Sequence, residues 1–170
     1  PVPYVYSKVP FEYRQIAGTS LNLGDDDSIE LNPPFPVRFS GASYPTLYVS
    51  SNGLISFVPY TEPYSSLLPT GFNADDPSRF PDKLIAPFWD DLLPQPDTPR
   101  NVFWEVVGTA PARELVVEWR DLNHSEIATA AEDAAVTFQV VLFENSDDIL
   151  FNYRDVDFSG AHCGVHYNFA

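Results

Sequence analysis

The chain has 170 residues, a length that suits one domain (1–170) and lets about two-thirds of the unfolded surface be buried without disulfide staples. Nine Lys and Arg against 24 Asp and Glu give a net charge of −15, which argues against nucleic acid and anionic membrane surfaces as partners. Hydrophobic residues at 44% and aromatics at 15% exclude a disordered chain, and no apolar run approaches the length of a membrane span. Seventeen prolines disfavour long helices. The sequence starts at Pro1 and has no Met, so a processed product or an excised segment is expected. Cys163 is the single cysteine, so no disulfide can form within the chain. The acidity and the polar, Pro-rich loops lean toward an extracellular setting.

In chain order, parts of Tyr4–Ile16, Ser28–Leu31 and Phe35–Phe39 have strand composition. Pro45–Ser50 and Leu54–Val58 flank Ser51-Asn52-Gly53, and Asn-Gly is a strong hairpin signal because both residues tolerate positive φ. Pro59–Lys83 is a 25-residue stretch with Pro59, Pro63, Pro69, Pro77 and Pro81 and little periodicity. Loops this long are usually functional or disordered, and its aromatic residues favour function. Leu84–Trp89 is a further strand candidate. In Asn101–Val107, Val102, Trp104 and Val106 share a face. In Glu114–Arg120, Leu115, Val117 and Trp119 alternate with Glu114, Glu118 and Arg120. Residues 108–113 join these two as a hairpin. Ser125–Ala134 alone has helix-forming composition, enough for a short turn or a loop. Ala135–Glu144 and Ile149–Asp155 form a second hairpin around Asn145-Ser-Asp-Asp148, whose side chains bond locally to the backbone. His162–Phe169 would be a last strand. Short strands at this spacing predict an all-β fold: a two-sheet antiparallel β-sandwich, jelly-roll-like or Greek key.

Five segments in this order resemble a known family. They are Tyr48-Val-Ser-Ser-Asn-Gly-Leu-Ile-Ser-Phe57, Leu84-Ile-Ala-Pro-Phe-Trp-Asp-Asp-Leu92, Asn101-Val-Phe-Trp104, Glu114–Arg120 and Val136–Ile149. The set resembles an accessory β-sandwich domain of secreted and surface proteins of bacteria. It is similar to the nidogen-type extracellular domain, which shares the S-N-G-x-I-S-F … I-A-P-F-W pattern. The likeness covers about residues 20–160. It implies a non-catalytic accessory unit, with Asn52 and Gly53 in a tight turn and Phe88, Trp89, Trp104 and Trp119 as core anchors. The long Pro59–Lys83 loop and the ending Gly160–Tyr167 depart from the pattern.

Candidate chemistry is sparse. Acidic turns at Asp25, Asp26 and Asp27 and at Asp90 and Asp91 could supply Ca²⁺ with oxygens, although neither has the spaced EF-hand pattern. Asp147-Asp148 is a third acidic pair, and Arg120 or Arg154 is expected to pair with a nearby carboxylate. His162 and His166 would lie about 13 Å apart along a strand, too far to share a zinc ion. Asn123-His124-Ser125 is a formal glycosylation sequon of little weight. There is no Gly-x-Ser-x-Gly elbow and no phosphate-binding loop, so no enzyme is expected. No cofactor is required, with Ca²⁺ the one candidate.

The expected function is a non-catalytic extracellular or cell-surface module for adhesion or interaction. Tyr60, Tyr64 and Phe72 are its candidate contacts with a protein or glycan ligand. One alternative is a subunit of a surface filament or layer, with copies of itself as partners and the Pro1–Pro10 start adding to a neighbour's sheet edge. Another is a carbohydrate-binding module. No membrane insertion is expected.

Overall fold

A computed structural model describes residues 4–59, 83–125 and 135–158. Tyr60, Tyr64 and Phe72, most of the Pro59–Lys83 loop, most of Ser125–Ala134, and the whole His162-Cys163–His166 ending lie outside these residues.

The strands run in the order β1 (Thr19–Ser20), β2 (Ser28–Leu31), β3 (Val37–Phe39), β4 (Ala42–Tyr44), β5 (Leu47–Ser50), β6 (Ile55–Ser56), β7 (Leu84–Ile85), β8 (Leu92–Leu93), β9 (Val102–Val107), β10 (Glu114–His124), β11 (Val136–Phe143) and β12 (Ile149–Asp155). There is no helix among the described residues. A six-stranded sheet has the order β1-β9-β10-β11-β12, with β8 on the far end of β10. A four-stranded sheet has the order β2-β5-β6-β7, and β3 and β4 form a separate hairpin. Every pairing is antiparallel.

The alternation in β10 explains the sandwich. Leu115, Val117 and Trp119 are fully buried on the inner face, against Val140, Phe138 and Leu142 of β11 and against Leu47, Val49 and Ile55 of the smaller sheet. Removing such apolar surface from water is the main stabilising term, about 1.5–3 kcal/mol per large side chain. Trp119 stacks on Phe138 with ring centres 5.0 Å apart, and its Nε1–H donates to the Ser50 carbonyl of the other sheet at 2.9 Å. One side chain thereby fixes the spacing of both sheets.

The outer face of the large sheet is covered too. Gln139 is fully buried there, and Glu118 and Asn152 nearly so. Residues 12–18 cross this face as an extended strap with no ladder of their own. The Asn152 amide donates to the Glu12 carbonyl (3.0 Å). Gln139 accepts from the Arg14 N–H (3.1 Å) and donates to the Arg14 carbonyl (2.7 Å). Arg120 donates to the Ile16 carbonyl (3.2 Å), and Glu105 accepts from the Gly18 N–H (2.9 Å). Side chains of β12, β11, β10 and β9 thus take turns holding the strap, which then pairs with β9 as β1. Arg14 also pairs with Glu114 (2.7 Å). The expected strand within Tyr4–Ile16 is therefore corrected: its backbone is satisfied by side chains.

Three further expectations are adjusted. Leu84–Trp89 is a strand only at Leu84–Ile85, because the chain then turns into the loop that carries Pro87. Trp89 is half-buried and stands outside the core cluster, whereas Phe88 packs against it. Phe35–Phe39 shortens to Val37–Phe39.

Candidate functional site: an acidic loop end of the sandwich

Asn52 and Gly53 do more than turn a hairpin. Val49 pairs with Ile55, and the Ser50 N–H donates to the Leu54 carbonyl at 2.9 Å, so the turn is closed by backbone alone. Asn52 is fully buried and bridges two other loops: its Nδ2 donates to Asp26 at 2.7 Å, and its Oδ1 accepts from the Leu92 N–H at 3.0 Å. Gly53 has φ of +74°, and a Cβ there would run into the Phe88 carbonyl oxygen. Only glycine permits that approach. The motif therefore clips the β1–β2 loop and the β7–β8 loop onto the β5–β6 turn.

Further bonds complete the clip. Ser51 exchanges bonds with Asp27, its N–H donating to the Asp27 carbonyl (2.8 Å) and its hydroxyl accepting from the Asp27 N–H (3.0 Å). Asn101 bonds both backbone groups of Leu23 at 2.9 Å. On β10 the register shifts between Trp119 and Leu122, where Asp121 has φ of +52°. Such a bulge re-aims the strand beyond it. Leu122 becomes inward-facing and fully buried, and the end of β10 pairs with β8. That brings His124 and Ser125 to the β7–β8 loop.

Asp25, Asp26 and Asp91 converge, each offering a carboxylate oxygen within 4.8 Å of the others. Asp26 accepts from Asn52, and Asp91 accepts from the Ser125 hydroxyl at 2.6 Å. None of the three pairs with a Lys or Arg among the described residues. Partial burial, together with the negative charges of Asp26 and Asp91, raises the pKa of Asp25 above the usual carboxylate range. The arrangement concentrates negative charge on flexible-ligand oxygens, the donor type hard cations such as Ca²⁺ take.

The five acids singled out in sequence divide by role. Asp25, Asp26 and Asp91 form the cluster. Asp27 turns inward on its own loop, accepting from the Ser28 N–H (2.8 Å) and the Gly24 N–H (3.3 Å). Asp90 accepts from the Asp91 N–H (2.9 Å) and lies 3.3 Å from Nε2 of the buried His124. Asp147 pairs with Arg38 (2.7 Å) far from this end, Arg120 pairs with Glu118, and Arg154 lies over the Tyr13 ring. The sequon is excluded as an accessible site: Asn123 is 3% exposed in β10 and accepts a bond from Arg100. Asn52, His124 and Ser125 escaped sequence reasoning as site-building residues. The one sequence signal was the adjacency of Asn52-Gly53 to a buried hairpin, since an exposed turn needs no such amide.

The described residues form an all-β sandwich in which the family-like motif residues act as buried clips. The chain matches the model of the NIDO-related family over residues 3–166 and belongs to that family. It is also similar to alpha-tectorin of mouse, at 37% identity over 70 residues, and to alpha-tectorin of human, at 36% over 70 residues. Each alignment covers 41% of this chain and 3% of the relative, so the chain spans a small fraction of the length of these proteins. No solved structure gives a significant match. No helix among the described residues is long and apolar enough to cross a membrane.

Proposed function

We propose that this chain is a non-catalytic interaction module of an extracellular or cell-surface protein, contacting a protein or glycan ligand through loops. The observation that carries this is the use the family motif makes of its residues. Asn52, Gly53 and Trp119 are spent on holding loops and sheets together, and the loop end they build presents carboxylates to solvent. Kinship with the NIDO-related family and with alpha-tectorin supports the extracellular setting. The aromatic residues Tyr60, Tyr64 and Phe72 belong to the loop proposed as the adhesive surface. Replacing all three with Ala is expected to weaken binding to an identified ligand at least tenfold, with the unfolding midpoint unchanged. Undiminished binding removes that loop from the account, and conversion of the ligand to product overturns the non-catalytic reading.

Ca²⁺ is proposed as a ligand of Asp25, Asp26 and Asp91 within the same reading. A cation at 100 times its dissociation constant adds about 2.7 kcal/mol of stability. Thermal unfolding in Ca²⁺ should then occur several degrees higher than in EDTA, and Asp91→Asn should abolish the difference. Equal midpoints for the unsubstituted chain return the three acids to solvated turn residues.

A further inference from the structure

The strap begins at Glu12, and the chain before it is anchored, among the described residues, by Tyr4 at its start and by the contact of the Phe11 ring with Tyr13 at its end. The Tyr4 ring stacks on Phe39 at 5.5 Å, and its hydroxyl accepts from the Ser40 N–H at 2.8 Å. Along this segment Val5 is 91% exposed, Tyr6 96%, Val9 58% and Phe11 62%. None of residues 4–11 belongs to a β-ladder, although β-branched and aromatic residues of this kind favour strands. An exposed apolar segment outside any ladder is a feature of interaction sites.

The same chain offers an acceptor. β12 ends the large sheet and, among the described residues, pairs only with β11. Phe151 and Tyr153 along it, and Val156 just beyond it, are about two-fifths exposed. The charges are complementary. Lys8 is the one charge in residues 4–11, whereas Asp148 and Asp157 flank β12, and Asp155 at its end and Arg154 are the charges within it.

We propose that Tyr4–Val9 adds as a strand to the β12 edge of a second copy of this chain. Backbone bonds would supply affinity, and alternate side chains would meet Phe151 and Tyr153. Pro10 has no N–H and ends the ladder. Donor and acceptor are different surfaces, so the contact is head-to-tail and can propagate beyond a dimer. A charge of −15 on each copy opposes association, which therefore strengthens as salt screens it. This partner is independent of the protein or glycan ligand proposed above, and either can fail without the other.

Sedimentation equilibrium of the whole chain over a wide concentration range, at low and moderate salt, is the test. The unsubstituted chain should associate with concentration. Tyr6→Pro, at a position nearly free of contacts, and Phe151→Glu should each weaken association at least tenfold while keeping the circular dichroism of the parent. An equimolar mixture of the two should give a dimer that grows no further, because only one donor and one acceptor remain. A parent chain that stays monomeric throughout overturns the proposal, as does association that persists undiminished in Tyr6→Pro. Should Phe151→Glu fail to fold, the Tyr6→Pro result decides alone.

Discussion

Asn52 shows how one side chain can organise an end of a sandwich. Replacing it with Ala takes a donor from the part-buried Asp26 carboxylate and leaves the buried Leu92 N–H with the Asp90 carbonyl as its remaining acceptor. A typical hydrogen bond contributes about 0.5–1.5 kcal/mol net, and one to a charged group about 1.5–3. Asn52→Ala is therefore expected to lower stability by about 2 kcal/mol in urea unfolding, with the slope unchanged. Gly53→Ala should cost at least as much, since its added Cβ meets backbone that cannot swing aside and its φ is left-handed. The ionisable residues give two opposite pH effects. The folded pKa of Asp25 is raised, so its charged form is a penalty present above that pKa and relieved as pH falls through it. Asp25→Asn should stabilise slightly at pH 7 without added cation and lose that gain at about pH 3. The pKa of Glu144 is lowered by its hydrogen bonds from Arg113. Its contribution is present above the unfolded carboxylate pKa of about 4.3 and fades as pH falls through the folded value. Acid titration of the parent and of Glu144→Gln, read by unfolding midpoint, separates the two.

The longer strands of the large sheet were legible as sequence. β9, β11 and β12 lie within a residue of their expected bounds because alternation records which side chains face the core, whereas β10 runs past the expected Arg120 to His124, and its Glu118, on the face expected to be in water, is buried. The strap was not legible. Its backbone is satisfied by Gln139, Asn152, Glu105 and Arg120, residues 87 to 140 positions away, and no local pattern announces such partners. Nor was the bulge at Asp121, which decides that Leu122 faces the core. The acids show the same limit: their clustering depends on Asn52 joining two loops that lie 26 and 40 residues from it in sequence. At this scale Gln139→Ala is expected to release the strap more than the sheet. Amide exchange at Arg14 should accelerate at least tenfold, while amides of β10 keep most of their protection. Equal acceleration at both would show that the strap and sheet open as one unit.

For the whole molecule, two sheets share one apolar core, so the domain should unfold as a single unit, and Trp119→Ala should cost about 3–5 kcal/mol. The surface left by this architecture is acidic, with a carboxylate-rich loop end and an exposed apolar segment at Tyr4–Phe11. Both features suit recognition, and belonging to the NIDO-related family supports an extracellular setting for it. On the function proposed above, the chain binds a ligand and leaves it chemically unchanged. Its most direct test is equilibrium binding of the immobilised chain to panels of extracellular proteins and glycans, with the mass of every bound ligand measured before and after. The account predicts saturable binding to a protein or a glycan of unaltered mass. Absence of saturable binding across the panels, or a bound ligand whose mass has changed, would contradict it.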